Sequence, residues 1–252
     1  NLRILTLASG SQGNAILIKS GRHSLLIDFG ISLRKLKIRL SELNEELNSL
    51  DAIFLSHEHS DHIRGLQHLS GKIDVPVFAT EGTWDRLSWL NWDAKERFKC
   101  GERIKLNGFD VQAFRVPHDA EEPVGFVIEA EGKRLAIATD LGSVNGLVRE
   151  RLKGAELVIL ESNHDPEMLL KGPYPWDLKQ RILSRKGHLS NQDCASLLTE
   201  LQHYGLNKAV LAHLSEENNT PELAYKTSRE LLEPHIELFI TSQKKAGPKI
   251  EF

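Results

Sequence analysis

The segment His57-Glu58-His59-Ser60-Asp61-His62 places four potential metal ligands within six residues. It follows the apolar run Ala52-Ile53-Phe54-Leu55-Ser56. In an extended chain the side-chain period is two, so His57 and His59 point the same way. The chain then turns and lets Asp61 and His62 face the same region from another side. One ion cannot easily take all four donors from so tight a loop, whereas two ions a few Å apart can. Neutral imidazole and carboxylate suit zinc, manganese or iron.

Further candidates follow other apolar runs. Phe114-Arg115-Val116-Pro117 leads to His118, Leu135 to Thr139 leads to Asp140, and Val210-Leu211-Ala212 leads to His213. Together they complete two ligand sets. His57, His59 and His118 would hold one divalent ion, and Asp61, His62 and His213 the other. Asp140 would bridge them, because one carboxylate can give an oxygen to each. Each three-residue set leaves a position open for water, as catalytic rather than structural sites do.

The elements that must position these groups come from a chain of ordinary composition. It has 252 residues, 40% hydrophobic and 27% charged, so it can bury a sizeable core without disulfide staples. A net charge of −3 excludes a nucleic-acid binder that works by overall basicity. Cys100 and Cys194 do not make a secreted disulfide framework. No apolar run reaches membrane-spanning length, and NLRILTLASG lacks the basic head and apolar body of a signal peptide, so a cytoplasmic protein with no membrane partner is expected. Histidine is the unusual count: eleven, beside one Met and three Tyr.

Short Ile/Val/Leu-rich runs predict strands at 2–8, 14–19, 23–28, 52–56, 76–79, 109–116, 124–130, 133–139, 156–161, 208–212 and 236–240. The close spacing of the first three, and of 109–116 with 124–130 and 133–139, favours antiparallel meanders. Helical periodicity marks 32–43, 61–70, 82–91, 143–153, 176–184, 191–204 and 221–232. Ser190 with Asp193 and Thr220-Pro221 are marked helix starts. With no repeat or linker, the expectation is one domain over 1–252, with two mixed sheets packed on each other and helices outside. A single-sheet α/β fold also remains open at this point.

The H-x-H-x-D-H run with a distant His, Asp and His resembles the metallo-β-lactamase-fold hydrolases. That resemblance implies a four-layer αβ/βα sandwich with the metals at one edge. Ser24 to Gly30 resembles the superfamily's early strand-Asp-x-Gly motif, whose Asp, here Asp28, supports the site without ligating. True β-lactamases of the fold commonly place Cys where this chain has Asp140. Only 39 residues follow His213, too few for the helical substrate domain of glyoxalase-II-type thioesterases, and the 73 residues from Asp140 to His213 are too few for a β-CASP insertion. What remains is the phosphodiesterase side. Ribonuclease Z-like enzymes carry a Glu motif and a His motif where this chain has Glu161 and His188, and there the His sits by the scissile phosphate, assisted by the Glu.

The chain is most similar to the YycJ/WalJ family. The similarity lies in Ser9-Gly10-Ser11-Gln12-Gly13-Asn14, Glu161-Ser162-Asn163-His164-Asp165, Gly172-Pro173-Tyr174-Pro175, Gly187-His188-Leu189-Ser190-Asn191 and Ala212-His213-Leu214-Ser215, with Ser162 in a place where the family usually has Ala. The resemblance implies a dinuclear metal-dependent nuclease, with 5′-to-3′ DNA exonuclease activity the leading assignment. A hydroxide shared by two divalent ions (Zn²⁺ or Mn²⁺, also Fe) would attack the phosphodiester, with Asp61, His188 and Glu161 as catalytic groups. Alternatives are a small-molecule or cyclic phosphodiesterase, a ribonuclease Z-like RNA-processing hydrolase, a thioesterase or lactonase, and a non-catalytic regulatory protein. By resemblance and motif position, Ser11, Asn14, Asn163 and His188 are substrate contacts.

His188 also precedes a helix capped at Ser190, and a helix N-terminus attracts anions. From Lys171 to His188 the chain is locally basic through Lys171, Lys179, Arg181, Arg185 and Lys186. Lys179 and Arg181 could track a phosphate backbone, and Tyr174 and Trp176 could stack on a base. Arg34, Lys35, Lys37 and Arg39 alternate with apolar residues and read as an amphipathic helix.

Overall fold

Two seven-stranded mixed sheets face each other in this computed structural model, which describes residues 1–46, 50–68 and 74–252. The first sheet contains β1 (Leu2–Ala8), β2 (Ala15–Ser20), β3 (His23–Ile27), β4 (Ala52–Phe54), β5 (Val77–Thr80) and β6 (Lys95–Phe98). The second contains β7 (Arg103–Leu106), β8 (Phe109–Arg115), β9 (Val124–Ala130), β10 (Lys133–Ala138), β11 (Leu157–Glu161), β12 (Lys208–Ala212) and β13 (Glu237–Ile240). A late strand, β14 (Lys249–Glu251), returns to the outer edge of the first sheet beside β1. Spatial order is β14-β1-β2-β3-β4-β5-β6 in the first sheet and β13-β12-β11-β10-β9-β8-β7 in the second.

The expected meanders form: β1, β2 and β3 pair antiparallel, as do β8, β9 and β10. The rest of the site-bearing strands run parallel, β3 to β4 in one sheet and β10 to β11 to β12 in the other. Parallel strands put their C-terminal ends at one edge, where open α/β sheets place their ligands.

Period-two alternation assigns each strand residue to a layer. Leu2, Ile4, Leu25 and Phe54 of the first sheet meet Val111, Phe126, Leu157 and Val210 of the second in the central core. Leu5, Leu17, Leu26 and Ile53 point outward under α1 (Leu33–Glu42). Val158, Leu160 and Leu211 point outward under α4 (Gly146–Leu152) and α7 (Asn191–Leu201). The result is the αβ/βα sandwich expected from sequence, and the single-sheet alternative is set aside.

Four elements were not expected from sequence. β6, β7 and β14 are short, and β6 and β7 carry charged residues on half-exposed edges, so they lack a clear apolar run. α5 (Pro166–Lys171) is a six-residue helix capped by Asp165. The helix expected over 61–70 is only α2 (Ser60–Ile63) followed by a 3₁₀ turn at Leu66–His68, and positions 69–70 lie outside the described residues. The helix expected over 82–91 is α3 (Glu81–Arg86). The other marked helices form, including α6 (Trp176–Leu183) and α8 (Pro221–Arg229), the latter capped by Thr220 with Pro221 leading.

Candidate metal centre

Strand ends at one edge of the sandwich carry most of the site groups. β4 leads to His57, β8 to His118, β10 to Asp140 and β12 to His213, while Glu161 is the last residue of β11. Glu161 falls on the inward face of β11, on the same side as Leu157 and Ile159, where the sheets part. The close fit of the edge is visible at Gly30. A Cβ there would lie 1.6 Å from the Asp61 carbonyl oxygen, so no larger residue fits between the two loops.

The seven expected ligands come together. Donor atoms of His57, His59 and His118 lie within 4.8 Å of one another, as do those of Asp61, His62 and His213, and of His57, His62 and Asp140. Asp140 lies between the sets: Oδ2 is 3.2 Å from His62 Nε2, and Oδ1 is 3.5 Å from His213 Nδ1 and 3.7 Å from His118 Nε2.

The hydrogen bonds behind the rings decide which nitrogen faces inward. A carboxylate only accepts, so His62 Nδ1 donates to Asp28 Oδ2 at 2.7 Å and His213 Nδ1 donates to Glu161 Oε1 at 2.7 Å. His118 Nδ1 donates to the Gly187 carbonyl at 3.1 Å. Ser56 Oγ donates to Asp28 Oδ2 at 2.8 Å and therefore accepts from His57 Nδ1 at 2.9 Å. Each of these four rings is left with Nε2 as its inward atom, the arrangement that metal-binding histidines adopt. His59 differs: its Nδ1 lies 3.3 Å from His118 Nε2, so both nitrogens aim at one point.

A test of whether these residues fit a cation is whether buried donors lack partners. His57 Nε2, His213 Nε2 and Asp140 Oδ2 are buried with no hydrogen-bond partner. Orphaned buried polar atoms are costly, and one cation in each ligand set, with Asp140 between them, would satisfy all three. The side chains thus fit a divalent-metal centre.

The charges agree with this. Burial and the neighbouring His62 push His57 well below the usual imidazole range. Burial alone would raise the Asp140 carboxyl, but His213 and His62 hold it well below the carboxylate range. Burial likewise opposes protonation of His62 and His213, yet Asp140 and its fellow carboxylates raise both well above the ordinary value. Without a cation, the surrounding carboxylates thus favour the protonated forms of His62 and His213.

Glu161 does more than sequence reading suggested. It is fully buried, and Oε1 accepts from both His188 Nδ1 and His213 Nδ1 at 2.7 Å. Oε2 accepts the backbone N–H groups of Leu141 and Leu189 at 3.0 Å. One carboxylate therefore orients the candidate catalytic His188, the candidate ligand His213, and the loops that follow Asp140 and precede α7. Burial lowers the basicity of His188, but the Glu161 charge outweighs it and raises its pKa above the ordinary value. Ser56 was also not singled out by sequence, although it joins Asp28 to His57.

A cavity of about 240 Å³ opens onto the centre and is lined by His59, Asp140, His188, His213, Tyr174 and Arg181 among others. Ser11 and Asn163 line it too. Two expected substrate contacts do not reach it. Asn14 is buried, with Nδ2 3.2 Å from Asp61 Oδ2 and 3.0 Å from the Gly10 carbonyl, so it braces the ligand loop. The Lys179 ammonium donates to the Leu170 carbonyl at 2.8 Å on the far side of α6. Arg181 is ion-paired with Asp119, which lines the same cavity. Trp176 is exposed near the α6 start.

Comparison with known proteins follows the same lines. A beta-lactamase superfamily domain model matches residues 23–214. Exodeoxyribonuclease YycJ of Bacillus anthracis is 38% identical over 92% of this chain and 89% of its own length. Exodeoxyribonuclease WalJ of Streptococcus pneumoniae serotype 2 (strain D39) is 38% identical over 88% and 84%. The metallo-beta-lactamase fold protein YhfI from Bacillus subtilis superposes with a TM-score of 0.75 over 98% of both chains at 19% identity, a likeness of fold. The chain belongs to the beta-lactamase superfamily, within its YycJ/WalJ family.

Proposed function

We propose that this protein is a metal-dependent nuclease that hydrolyses DNA phosphodiester bonds from a strand end, 5′ to 3′. The observation that carries the reading is the Glu161–His188 pair, 2.7 Å apart, with His188 on the cavity wall and Glu161 buried behind it. The two exodeoxyribonuclease relatives match over most of their length and support DNA as substrate. Polarity rests on family resemblance alone.

His57, His59 and His118 would hold one divalent cation and Asp61, His62 and His213 a second, with Asp140 between them. Zinc, manganese and iron suit this donor set. When bound, such cations lower the pKa of water and polarise phosphoryl oxygens. The chain supplies the rest. Asp61 is held by Asn14 and partly faces the cavity, placed to accept a hydrogen bond from the attacking water. Water attacks phosphorus and the bond to the leaving oxygen breaks. His188, kept protonated by Glu161, gives its Nε2 proton to that oxygen. Glu161 keeps Nδ1 occupied, so Nε2 is the nitrogen offered. Ser11, Asn163 and Arg181 line the path of the strand.

Both cysteines are free thiols, which accords with a cytoplasmic location. Among the described residues no helix is long and apolar enough to cross a membrane.

The test is activity on 5′- and 3′-labelled single- and double-stranded DNA and RNA with Mn²⁺ or Zn²⁺. Stepwise release from the DNA 5′ end is expected. Turnover of a simple aryl phosphodiester with none on DNA would replace this reading with a small-molecule phosphodiesterase.

A further inference from the structure

Part of the cavity lining is apolar, although the proposed chemistry asks for nothing apolar. Tyr174, Leu178 and Ile182 line the cavity that also holds His188, alongside the polar Ser11, Asn163 and Ser215. Leu178 and Ile182 lie one turn apart on α6 and share a face. Tyr174 precedes α6 by two residues and is half-buried. Among the described residues its hydroxyl makes no hydrogen bond, so the ring is what it brings to the cavity. Trp176, the other aromatic of this segment, is 58% exposed and is not part of the lining.

Direct contacts fasten this wall to the catalytic groups. The His188 N–H donates to the Ile182 carbonyl at 2.9 Å. A Cβ on Gly187 would lie 2.1 Å from that same oxygen, so the end of α6 and the His188 loop are packed without spare room. Arg181 Nε donates to Asp119 Oδ2, and Asp119 follows the candidate ligand His118. The Lys179 ammonium, bonded to the Leu170 carbonyl at 2.8 Å, joins α6 to the end of α5. Tyr174 itself stands between Pro173 and Pro175, whose rings fix φ on either side of it. Just before them, a Cβ on Gly172 would lie 2.5 Å from Asn218 Oδ1. The ring is therefore carried by a segment with little freedom to lose when a ligand binds.

We infer that Tyr174 and Leu178 form a platform on which a nucleobase flanking the scissile phosphate stacks. This rests on the nuclease reading and adds how the site grips a nucleotide without reading which one it is. The phosphate is served by charged and polar groups, namely the metal centre, His188 and Arg181. An aromatic and apolar surface in the same cavity is matched by the flat face of a base. Every base has such a face, so stacking holds successive nucleotides of any sequence equally well enough for stepwise degradation. Trp176, outside the cavity, takes no part.

The experiment compares the metal-loaded parent with Tyr174→Ala, Tyr174→Phe and Trp176→Ala. The substrates are oligodeoxynucleotides that are intact, or abasic at one or other of the two nucleotides flanking the first scissile bond. On intact strands Tyr174→Ala is expected to raise KM about tenfold, within the range of one base stacked on an aromatic ring. Tyr174→Phe and Trp176→Ala keep the parent KM, and all variants keep the parent's metal content. At one of the two abasic positions the parent itself weakens about tenfold and Tyr174→Ala adds nothing further, the non-additivity of two changes to one contact. The platform is overturned, with the nuclease reading intact, by a Tyr174→Ala variant that keeps the parent KM, that loses metal, or that weakens intact and both abasic strands by the same factor. A loss carried by Trp176→Ala instead overturns it too. A parent that turns over bis(p-nitrophenyl) phosphate but cuts no oligonucleotide overturns the nuclease reading itself.

Discussion

The two sheets build their halves of the metal centre on different plans. The first contributes His57, His59, Asp61 and His62 from one loop, with Asp28 behind it holding His62 and Ser56. The second contributes one group per strand end, at His118, Asp140, Glu161 and His213, plus His188 ahead of α7. A loop carrying four ligands is fixed by local turns and neighbouring contacts. Single ligands from separate strands are fixed by sheet register, because a slip of one residue turns each side chain to the other face. The first half is therefore sensitive to changes in its own loop, the second to changes anywhere along four strands.

The sharpest way to break that comparison is at the group the two halves share. For Asp140→Ala we expect metal content and turnover to be lost together, with a drop larger than the roughly 10²–10⁴-fold worth of one acid–base group. Elemental analysis beside a nuclease assay checks it, and a variant retaining full metal would remove Asp140 from between the sets.

Next is His188→Ala, which belongs to the second half but ligates nothing in the proposed scheme. Metal should be retained and turnover should fall about 10²–10⁴-fold. A metal-replete variant with full nuclease activity sinks the role assigned to His188.

The two buried carboxylates sharpen the contrast. Glu161→Gln should weaken metal binding and lower turnover, each by about 10–100-fold, because Glu161 holds a ligand and His188 at once. Asp28→Asn should weaken metal binding to a similar degree but leave the turnover of the metal-saturated enzyme closer to the parent. Equal effects of both changes on saturated turnover would show that the halves are not divided in this way.

The smallest effect is on pH. His62 and His213, one from each half, are raised well above the usual imidazole value in the cation-free protein. The cation-free rings therefore hold their protons to higher pH than a free imidazole, and metal must displace the protons they hold. Affinity should rise with pH up to the raised values, by at most about 1.4 kcal/mol per pH unit for each proton released. Calorimetry in buffers of different ionisation enthalpy counts the protons, and zero release contradicts the assignment.

How much of this was legible in sequence follows from the same contrast. The His57–His62 loop announces itself, since four donors in six residues need no fold to be noticed. His118, Asp140 and His213 were legible because each ends an apolar run, which placed them at strand ends before their register was known. Glu161's grip on His213 was not legible, because it depends on β11 pairing with β12 so that Glu161 sits opposite Ala212. Asn14 lies in a motif that suggested substrate, but burial turns it toward Asp61 and His62. Lys179 is basic in sequence and internal in space, since periodicity does not say which side of α6 another helix will cover. The edge strands β6 and β7 were missed for a related reason: they bury too little to need an apolar run.

Two strained residues lie at the same edge. Asp28 and His213 adopt φ of +58° and +55°, conformations that cost non-glycine residues of order 1–3 kcal/mol. Asp28 is held by His62 and Ser56, and the His213 N–H by Ser9 Oγ at 2.8 Å. Ser9 follows β1, so the earliest strand helps to hold the last ligand.

That bond and the placement of β14 beside β1 bear on timing during synthesis. A ribosome extrudes β1 before the His57–His62 loop, and His213 and β14 after both. Of the ligands, the His57–His62 loop is made first, and the half-centre it carries must wait for Asp140, Glu161, His188 and His213. A nuclease made beside a messenger and ribosomal RNA thus lacks its assembled site until the strands that carry Asp140, Glu161 and His213 have paired.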